Sequence, residues 1–336
     1  MKSTPTVTVV MTSYNYERFL DEAIQSVVAQ TWTDWEMIVV DDQSTDGSWS
    51  IIERWTKADR RIAAVRPSRR LGFVGALNLG MSVATGQFIA IIDSDDVWSP
   101  QRLEQEIRFL QDPAHNQVGV CGANCLLIDE HGREVGRKQY PLSDPSCPRA
   151  WWYRNPFYHS ATLIRRACFD RYGLYDERFP MAHDLDLWFR FGQGWQFHNL
   201  PDYLVKYRIS GFNASLRRQK ALIRSTIAAR RWAAAEYGYT MDRSARLALG
   251  LVWCAQWLPA SLVHRLFHRV FLRVGARLWR EPGSAAVSEG KAAGMADGDE
   301  SRLIAAAGPL NTAALRTRTA DHRLLTPDHR SLITDH

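Results

Sequence analysis

Residues 88–96 have the sequence FIAIIDSDD, in which five apolar residues are followed by three carboxylates within four positions. The short apolar run predicts a buried strand over 88–92. Side chains two apart on an extended backbone point the same way, so Asp93 and Asp95 should project together. Two like charges so close are costly unless a cation lies beside them. The stretch therefore predicts a site for a hard divalent ion such as Mn²⁺ or Mg²⁺, which prefers oxygen ligands and bridges to diphosphates. The alternative is an acidic turn before a helix that starts at Ser99-Pro100.

Strands and helices alternate on the N-terminal side of this stretch. Strands are predicted at 7–11, 35–40 and 62–65, and a helical pattern follows each of them. This alternation predicts a mostly parallel, doubly wound α/β sheet. In open sheets of this kind ligands bind beyond the carboxyl ends of the strands. The three carboxylates are expected at that edge.

The pattern changes after residue 115 and again after residue 215. Further strands at 118–121, 161–164 and 203–209, a hairpin around His131-Gly132 and a short helix at 184–192 indicate a mixed second half. Residues 220–280 have a helical pattern, and from 281 the chain is rich in Ala, Gly, Ser and Asp, which is typical of disorder. We therefore predict a catalytic domain over 1–215, a helical extension over 216–280 and a disordered tail over 281–336.

Composition narrows the class of protein. The 336 residues carry a net charge of +6, and the basic residues are scattered rather than gathered in the stripe that nucleic-acid binding usually requires. The modest excess suits an anionic nucleotide or an anionic membrane surface. The five cysteines show no paired framework, and neither a signal peptide nor a clean membrane span is recognisable. We expect a cytoplasmic protein with no nucleic-acid partner.

Two further acidic pairs follow predicted element boundaries. Asp41 and Asp42 come directly after the second strand, where a carboxylate could accept a hydrogen bond from a base or a ribose or could belong to a turn. Asp184 lies at a predicted helix start and is a candidate general base, although such a residue can also be a helix cap. Asp186 is expected to be a solvated charge in the first helical turn. No Walker loop, G-x-G-x-x-G or G-x-S-x-G motif is present, which removes the main support for a kinase, a dehydrogenase or a serine hydrolase.

An ordered series of motifs resembles glycosyltransferase family 2, whose members have the GT-A fold, the fold of nucleotide-diphospho-sugar transferases, and invert the anomeric centre. The resemblance covers about the first two-thirds of the chain. The motifs are 7–30 (VTVVMTSYNYERFLDEAIQSVVAQ), 38–47 (IVVDDQSTDG), 71–80 (LGFVGALNLG), 88–96 (FIAIIDSDD), 158–166 (YHSATLIRR) and 182–190 (AHDLDLWFR).

The resemblance implies a role for each candidate residue. Thr12 and Tyr14 would line the nucleotide pocket. Asp42 would contact the base, which is usually uracil in this family, and Asp93 would contact the ribose or the metal. Asp95 would bind the metal, with Asp96 as support or substitute, and Asp184 would be the catalytic base. Two positions depart from the family pattern. His183 stands where an acidic residue is frequent, and Ser210 stands where a His often helps to hold the metal or diphosphate.

The function expected from this resemblance is transfer of a sugar from a nucleotide sugar, with a UDP-sugar favoured, to a hydroxyl of a glycan or lipid-linked acceptor. Asp184 would take the hydroxyl proton in a single displacement, and the cation would offset charge on the departing diphosphate. The alternatives are a non-catalytic nucleotide-sugar-binding domain and a sugar-nucleotide pyrophosphorylase. Against the latter, residues 12–17 lack the Gly-rich basic loop of such enzymes.

A basic amphipathic pattern occupies residues 262–279 of the helical extension. Apolar residues there share one face and arginines lie mostly elsewhere, which is typical of a helix on a membrane surface. Packing on the core or on a second subunit is the alternative. Membrane binding would locate the protein peripherally at the inner face of the membrane.

Overall fold

A computed structural model describes residues 4–141, 148–210, 213, 218–255 and 257. The strands are β1 (Val7–Ser13), β2 (Trp35–Asp41), β3 (Ile62–Val65), β4 (Phe88–Asp93), β5 (Val97–Trp98), β6 (Val118–Ile128), β7 (Glu134–Lys138), β8 (Leu163–Arg165) and β9 (Gln196–Arg208). The α-helices are α1 (Glu17–Val28), α2 (Ser48–Ala58), α3 (Gly72–Val83), α4 (Arg102–Gln111), α5 (Pro148–Trp151), α6 (Arg166–Tyr172), α7 (His183–Phe191), α8 (Gln219–Glu236) and α9 (Arg243–Ala255).

One mixed sheet runs through the molecule in the order β3-β2-β1-β4-β8-β6-β9-β5, with β7 paired to β6. The first four strands of that order are parallel, whereas β8 is antiparallel to both of its neighbours, and β6 and β9 are again parallel. The predicted α/β class with a mostly parallel sheet is therefore confirmed. The strand parallelism brings the carboxyl ends of β1, β2 and β4 to one edge.

Two apolar layers cover the faces of the sheet. Alternate residues of β1 point to opposite layers: Val9 packs with Leu20 and Ile24 of α1, and Val10 packs with Leu77 of α3. Because both faces are covered, all seven residues of β1 are buried. This is why the parallel strands have continuous apolar runs instead of alternating ones.

Helix α4 begins later than the sequence predicts. It starts at Arg102, with Gln101 as its N-cap residue, rather than at Ser99-Pro100. The reason is tertiary: β5 pairs with β9, and the Ser99 N–H donates to the carbonyl of Leu204 at 2.9 Å. The chain therefore stays extended past the position where a local capping signal would have started the helix.

The helical extension is represented by α8 and α9. Ala229 and Ala233 of α8 and Ala245 of α9 belong to the same apolar cluster as α7. Across the described residues, every helix is too short or too polar to cross a bilayer. The predicted amphipathic segment 262–279 and the predicted disordered tail 281–336 lie outside the described residues.

Candidate active site

The acidic stretch after β4 lies where the parallel strands end. Strand register sets Thr12 of β1 beside Asp93, and Ser13 beside Asp41 of β2. The loop that follows β4 is tied to β1 because the Ser94 hydroxyl donates to the carbonyl oxygen of Thr12 at 2.6 Å. The predicted cluster is thus held at the carboxyl edge of the sheet.

Asp96 is fully buried, and both of its carboxylate oxygens are engaged. The Tyr158 hydroxyl donates to Oδ2 at 2.6 Å, and the Arg208 backbone N–H donates to Oδ1 at 3.2 Å. The same tyrosine hydroxyl lies 3.4 Å from Oδ2 of Asp93. Asp96 therefore anchors β4 to the chain segments that carry Tyr158 and Arg208.

Asp95 is held by two residues from the end of β9 and beyond. The Asn213 carboxamide donates to its Oδ2 at 3.3 Å, and the Arg208 guanidinium donates through Nε to its carbonyl oxygen at 2.9 Å. Arg208 is itself buried and pairs with Glu22 of α1 at 2.5 Å. Asn213 also accepts the Ser210 N–H at 2.6 Å, so the Ser210 backbone is linked to Asp95 through the amide of Asn213.

The electrostatics of the cluster oppose full ionisation. Burial, and then the charges of Asp96 and Asp184, raise the pKa of Asp93 to about 8. Burial raises the pKa of Asp96 to about 6, and burial with the charges of Asp96 and Asp93 raises the pKa of Asp95 well above its usual range. Burial and the same three carboxylates also raise the pKa of the nearby Tyr16 phenol. A cation among these groups would remove the repulsion.

The residues fit a divalent cation only if the ion shares its ligands with a bound molecule. Among the residues that the structure describes, no group of three or more His, Cys, Asp or Glu side chains is arranged to hold a metal alone. Both carboxylate oxygens of Asp96 accept hydrogen bonds from protein donors, so Asp93 and Asp95 are the remaining candidate ligands of the ion. Two carboxylates suit an ion such as Mg²⁺, which commonly keeps waters and takes its remaining ligands from substrate phosphates.

Asp184 is the second residue of α7, and it is close enough to Asp93 for its charge to raise the pKa of that carboxyl. Its Oδ1 accepts the N–H of Leu185 at 2.8 Å, and its Oδ2 accepts a hydrogen bond from the carboxamide of Asn155. These two bonds orient the carboxylate at the helix N-terminus. Asp184 thus lies near the β4 cluster.

Asp186 differs from the expectation of a solvated charge. It is fully buried, accepts Nε of Arg190 at 2.9 Å and accepts the Tyr237 hydroxyl at 3.0 Å. The prediction was wrong because it considered only the position in the helix turn. Tyr237, which follows α8, covers that face of α7, and this contact cannot be read from the local sequence.

The predicted nucleotide residues lie at the ends of β1 and β2. Asp42 is buried and accepts the backbone N–H groups of Leu71 at 2.6 Å and Gly72 at 2.9 Å, so it ties the end of β2 to the start of α3. Arg70 bridges the two predicted residues: its Nε lies 3.6 Å from Asp42, and its guanidinium lies 3.4 Å from the ring centroid of Tyr14.

His183 packs in an aromatic group beside the proposed base. Its ring centroid lies 5.0 Å from that of Phe73 and 5.1 Å from that of His159. Burial lowers the pKa of His183, and the neighbouring charge of Asp184 only partly opposes this. A neutral imidazole therefore occupies the position where the family often has a carboxylate.

Four residues of the site were not identified from the sequence: Tyr158, Arg208, Asn213 and Asn155. Tyr158 begins the motif 158–166, and Arg208 and Asn213 lie within residues 207–215 (YRISGFNAS), which resemble a late Tyr-Arg motif of the family, so a signal existed for these three. Asn155 gives no local signal. An asparagine in a loop is ordinarily a turn residue, and its function here depends on the carboxylate that it meets.

Comparison with known proteins gives the family. The model described as Glycosyl transferase family 2 matches residues 8–173. An uncharacterized glycosyltransferase of Haemophilus influenzae is 30% identical over 224 residues, which are 64% of this chain and 69% of that protein. The amylovoran biosynthesis glycosyltransferase AmsE of Erwinia amylovora is 30% identical over 223 residues, 65% of this chain and 82% of that protein.

Solved structures share the fold at low identity. Residues 1–349 of TarS from S. aureus, in complex with UDP, match with a TM-score of 0.52 and 20% identity, over 67% of this chain and 65% of that one. The mannosyltransferase PcManGT from Pyrobaculum calidifontis, in complex with GDP-Man and Mn²⁺, matches with a TM-score of 0.53 and 19% identity, over 94% of this chain and 79% of that one.

These likenesses show the GT-A fold. The pyrophosphorylase alternative is overturned, because the relatives and the matching family model are glycosyltransferases. The alignments cover most of the length of these relatives, and the family model matches the part of the chain that carries the carboxylates at the strand ends. The chain therefore belongs to glycosyl transferase family 2 and is a glycosyltransferase.

Proposed function

We propose that the protein transfers one sugar from a nucleotide-diphosphate sugar to an acceptor hydroxyl by a single inverting displacement that depends on Mn²⁺ or Mg²⁺. The observation that carries this proposal is the group of Asp93, Asp95 and Asp96 at the end of β4, where burial raises all three pKa values and the charges of neighbouring carboxylates further raise those of Asp93 and Asp95. Because full ionisation of these three carboxyl groups is unfavourable, the site favours a ligand that carries positive charge.

In this proposal Asp93 and Asp95 hold the cation together with the donor diphosphate, and Asp96 supports them through Tyr158 and Arg208. When bound, the ion would offset the charge that builds on the departing diphosphate. The complex of PcManGT contains GDP-Man and Mn²⁺, which supports a divalent ion in a protein of this fold.

Asp184 is the proposed general base. It accepts two hydrogen bonds, from Leu185 and Asn155, which fix its orientation at the start of α7. It is also close enough to Asp93 for their charges to interact. A carboxylate held in this way can receive the proton of an acceptor hydroxyl as the oxygen attacks the anomeric carbon.

Thr12, Tyr14 and Asp42 form the proposed nucleotide side of the site, with Asp93 between nucleotide and metal. Asp42 already accepts two backbone N–H groups, so we propose that it positions the start of α3 while contacting the base with its remaining acceptor capacity. A UDP-sugar is favoured by the family pattern, and the UDP complex of TarS supports it. The GDP-Man complex makes a GDP-sugar the first alternative to test.

The proposed acceptor is a glycan or a lipid-linked saccharide in polysaccharide assembly for the cell envelope. The name of AmsE refers to amylovoran biosynthesis, and this supports a role of the same kind here. Peripheral attachment at the inner face of the membrane, with the bulk of the chain in the cytoplasm, belongs to the same proposal.

The test is nucleoside diphosphate release from a panel of UDP- and GDP-sugars with Mn²⁺ and a set of saccharide acceptors. We expect release with one donor, loss of release with EDTA, and weaker donor binding by Asp95→Ala. A non-catalytic binding domain would show a donor-dependent rise in melting temperature but no release with any donor and acceptor. Release that is unaffected by EDTA would contradict the proposed metal.

A further inference from the structure

Helix α9 has an exposed apolar face. Leu247, Leu251, Trp253 and Trp257 are 66%, 60%, 50% and 73% exposed, and they form the majority of the strongly exposed large hydrophobic residues in the part of the chain that the structure describes. The spacing of four residues places Leu247 and Leu251 on one side of α9, and Trp257 lies just beyond the end of the helix. The opposite side of α9 is the one that packs, through Ala245, Leu249 and Val252. Large apolar side chains that are exposed together on one element mark an interaction site.

A groove of about 730 Å³ lies between α8 and α9, next to this face. Ile227, Leu249 and Trp253 give it an apolar lining, and Arg231 and Arg246 add positive charge. No acidic residue lines it. Within the described residues neither arginine forms an ion pair, although the Nε of Arg246 donates to the carbonyl of Met241 at 3.1 Å, so neither charge is paired with a carboxylate there.

The net positive charge around α8 and α9 favours one kind of binding partner. Residues 218–257 contain seven basic and two acidic residues. A second copy that docked through the same face would bring arginines against arginines. A surface that offers hydrocarbon and phosphate together complements both the exposed apolar side chains and the two guanidinium groups. Tryptophans are also the side chains that settle at the boundary between lipid and water.

We propose that Leu247, Leu251, Trp253, Trp257, Arg231 and Arg246, the α8–α9 face, dock the protein on an anionic lipid bilayer. The apolar side chains enter the boundary between headgroups and acyl chains, and the arginines contact lipid phosphates. This differs from the amphipathic pattern predicted at 262–279, because it depends on residues of α8 and α9 whose neighbours are defined.

The α8–α9 face is fixed to the helix that carries Asp184. Ser225 of α8 accepts the N–H of Met181 at 3.2 Å, just before α7, and the Tyr239 hydroxyl donates to the carbonyl of Phe189 at 2.9 Å. Docking would therefore hold α7 at a constant orientation to the bilayer. The docking face deepens the peripheral attachment in the proposed function, and its use for a lipid-linked acceptor rests on that function.

The test is flotation of the full chain with phosphatidylcholine vesicles that contain or lack phosphatidylglycerol. We expect the wild type to bind the anionic vesicles. In Leu247→Asp/Leu251→Asp the partition coefficient should fall by about 100-fold or more, which corresponds to the loss of two buried leucines. Val83→Asp is the matched control, because Val83 is 47% exposed on α3 and should leave binding unchanged. Trp257→Ser, beyond the end of α9, tests the same face without placing a charge in a helix.

The charge contribution is tested with Arg231→Gln and Arg246→Gln against Lys57→Gln on α2. Each arginine substitution should lower binding to anionic vesicles about fivefold, and Lys57→Gln should not. Flotation of the leucine and Trp257 variants at the wild-type level would overturn the proposal. So would a dimer in light scattering that Leu247→Asp/Leu251→Asp dissociates. Nucleoside diphosphate release onto a soluble acceptor, measured without vesicles, reports separately on the proposed function.

Discussion

Asp93→Asn should stabilise the metal-free protein while removing metal binding. The pKa of Asp93 is raised from 3.8 to about 8 in the folded protein, first by burial and then by Asp96 and Asp184. Well below pH 3.8 the carboxyl is protonated in both the folded and the unfolded state, so it has no effect on stability there. As the pH rises from about 4 to about 8, the unfolded chain ionises first, and the folded protein loses stability.

The magnitude follows from the same shift. At pH 7 an isolated group with these pKa values would cost about 4 kcal/mol. Because Asp93 is only partly buried, solvent reduces this, and we expect the asparagine variant to gain ~2–4 kcal/mol at pH 7 and little at pH 4. Asparagine has nearly the same shape, and the backbone N–H of residue 93 keeps its bond to Ser160.

The measurement is urea unfolding in EDTA at several pH values, followed by the same series with Mn²⁺. The wild type should gain stability from Mn²⁺ in proportion to the logarithm of its concentration, and Asp93→Asn should not. Asp202→Asn changes the same charge at an exposed position and serves as control. A variant that is less stable than the wild type at pH 7, or a difference that does not change with pH, would refute the reasoning.

Three further predictions concern chemistry, packing and the buried cation. In thermal-shift titrations with Mn²⁺, Asp184→Asn should bind the donor as the wild type does. Its rate of nucleoside diphosphate release should fall about 100-fold or more, and a full turnover rate would reject Asp184 as the base. Gly86→Ala should lower the free energy of unfolding in urea by about 3 kcal/mol, because the added Cβ would lie 2.4 Å from the backbone N of Thr8. Gly250→Ala in α9, where the added Cβ meets nothing within 4 Å, should raise it by about 0.5–1 kcal/mol. Equal effects of the two substitutions would contradict this reasoning. Arg208→Gln should cost about 3 kcal/mol, since it leaves the carbonyl of Asp95 without a donor and Glu22 without its cation. Arg18→Gln on the surface should cost less than about 1 kcal/mol by the same assay, and similar losses would show that burial is not decisive.

Local patterns were sufficient for the parallel half of the sheet and for the edge at which the site lies. The strand of residues 88–92 and the carboxylates after it depend on apolar runs and on chain direction, which are properties of neighbouring residues. The same is true of Asp184 at a helix start, where local hydrogen bonds and the helix end decide the position. For these residues the sequence contained the necessary information.

Tertiary contacts decided which carboxylate oxygens remain available. Asp96 is engaged by Tyr158 and Arg208, and Asp95 by Asn213, across separations of 62, 112 and 118 residues. The same holds for the burial of Asp186 and the late start of α4. Each depends on which distant segment packs at that place, and a hydrogen bond between such segments leaves no periodic pattern in the sequence.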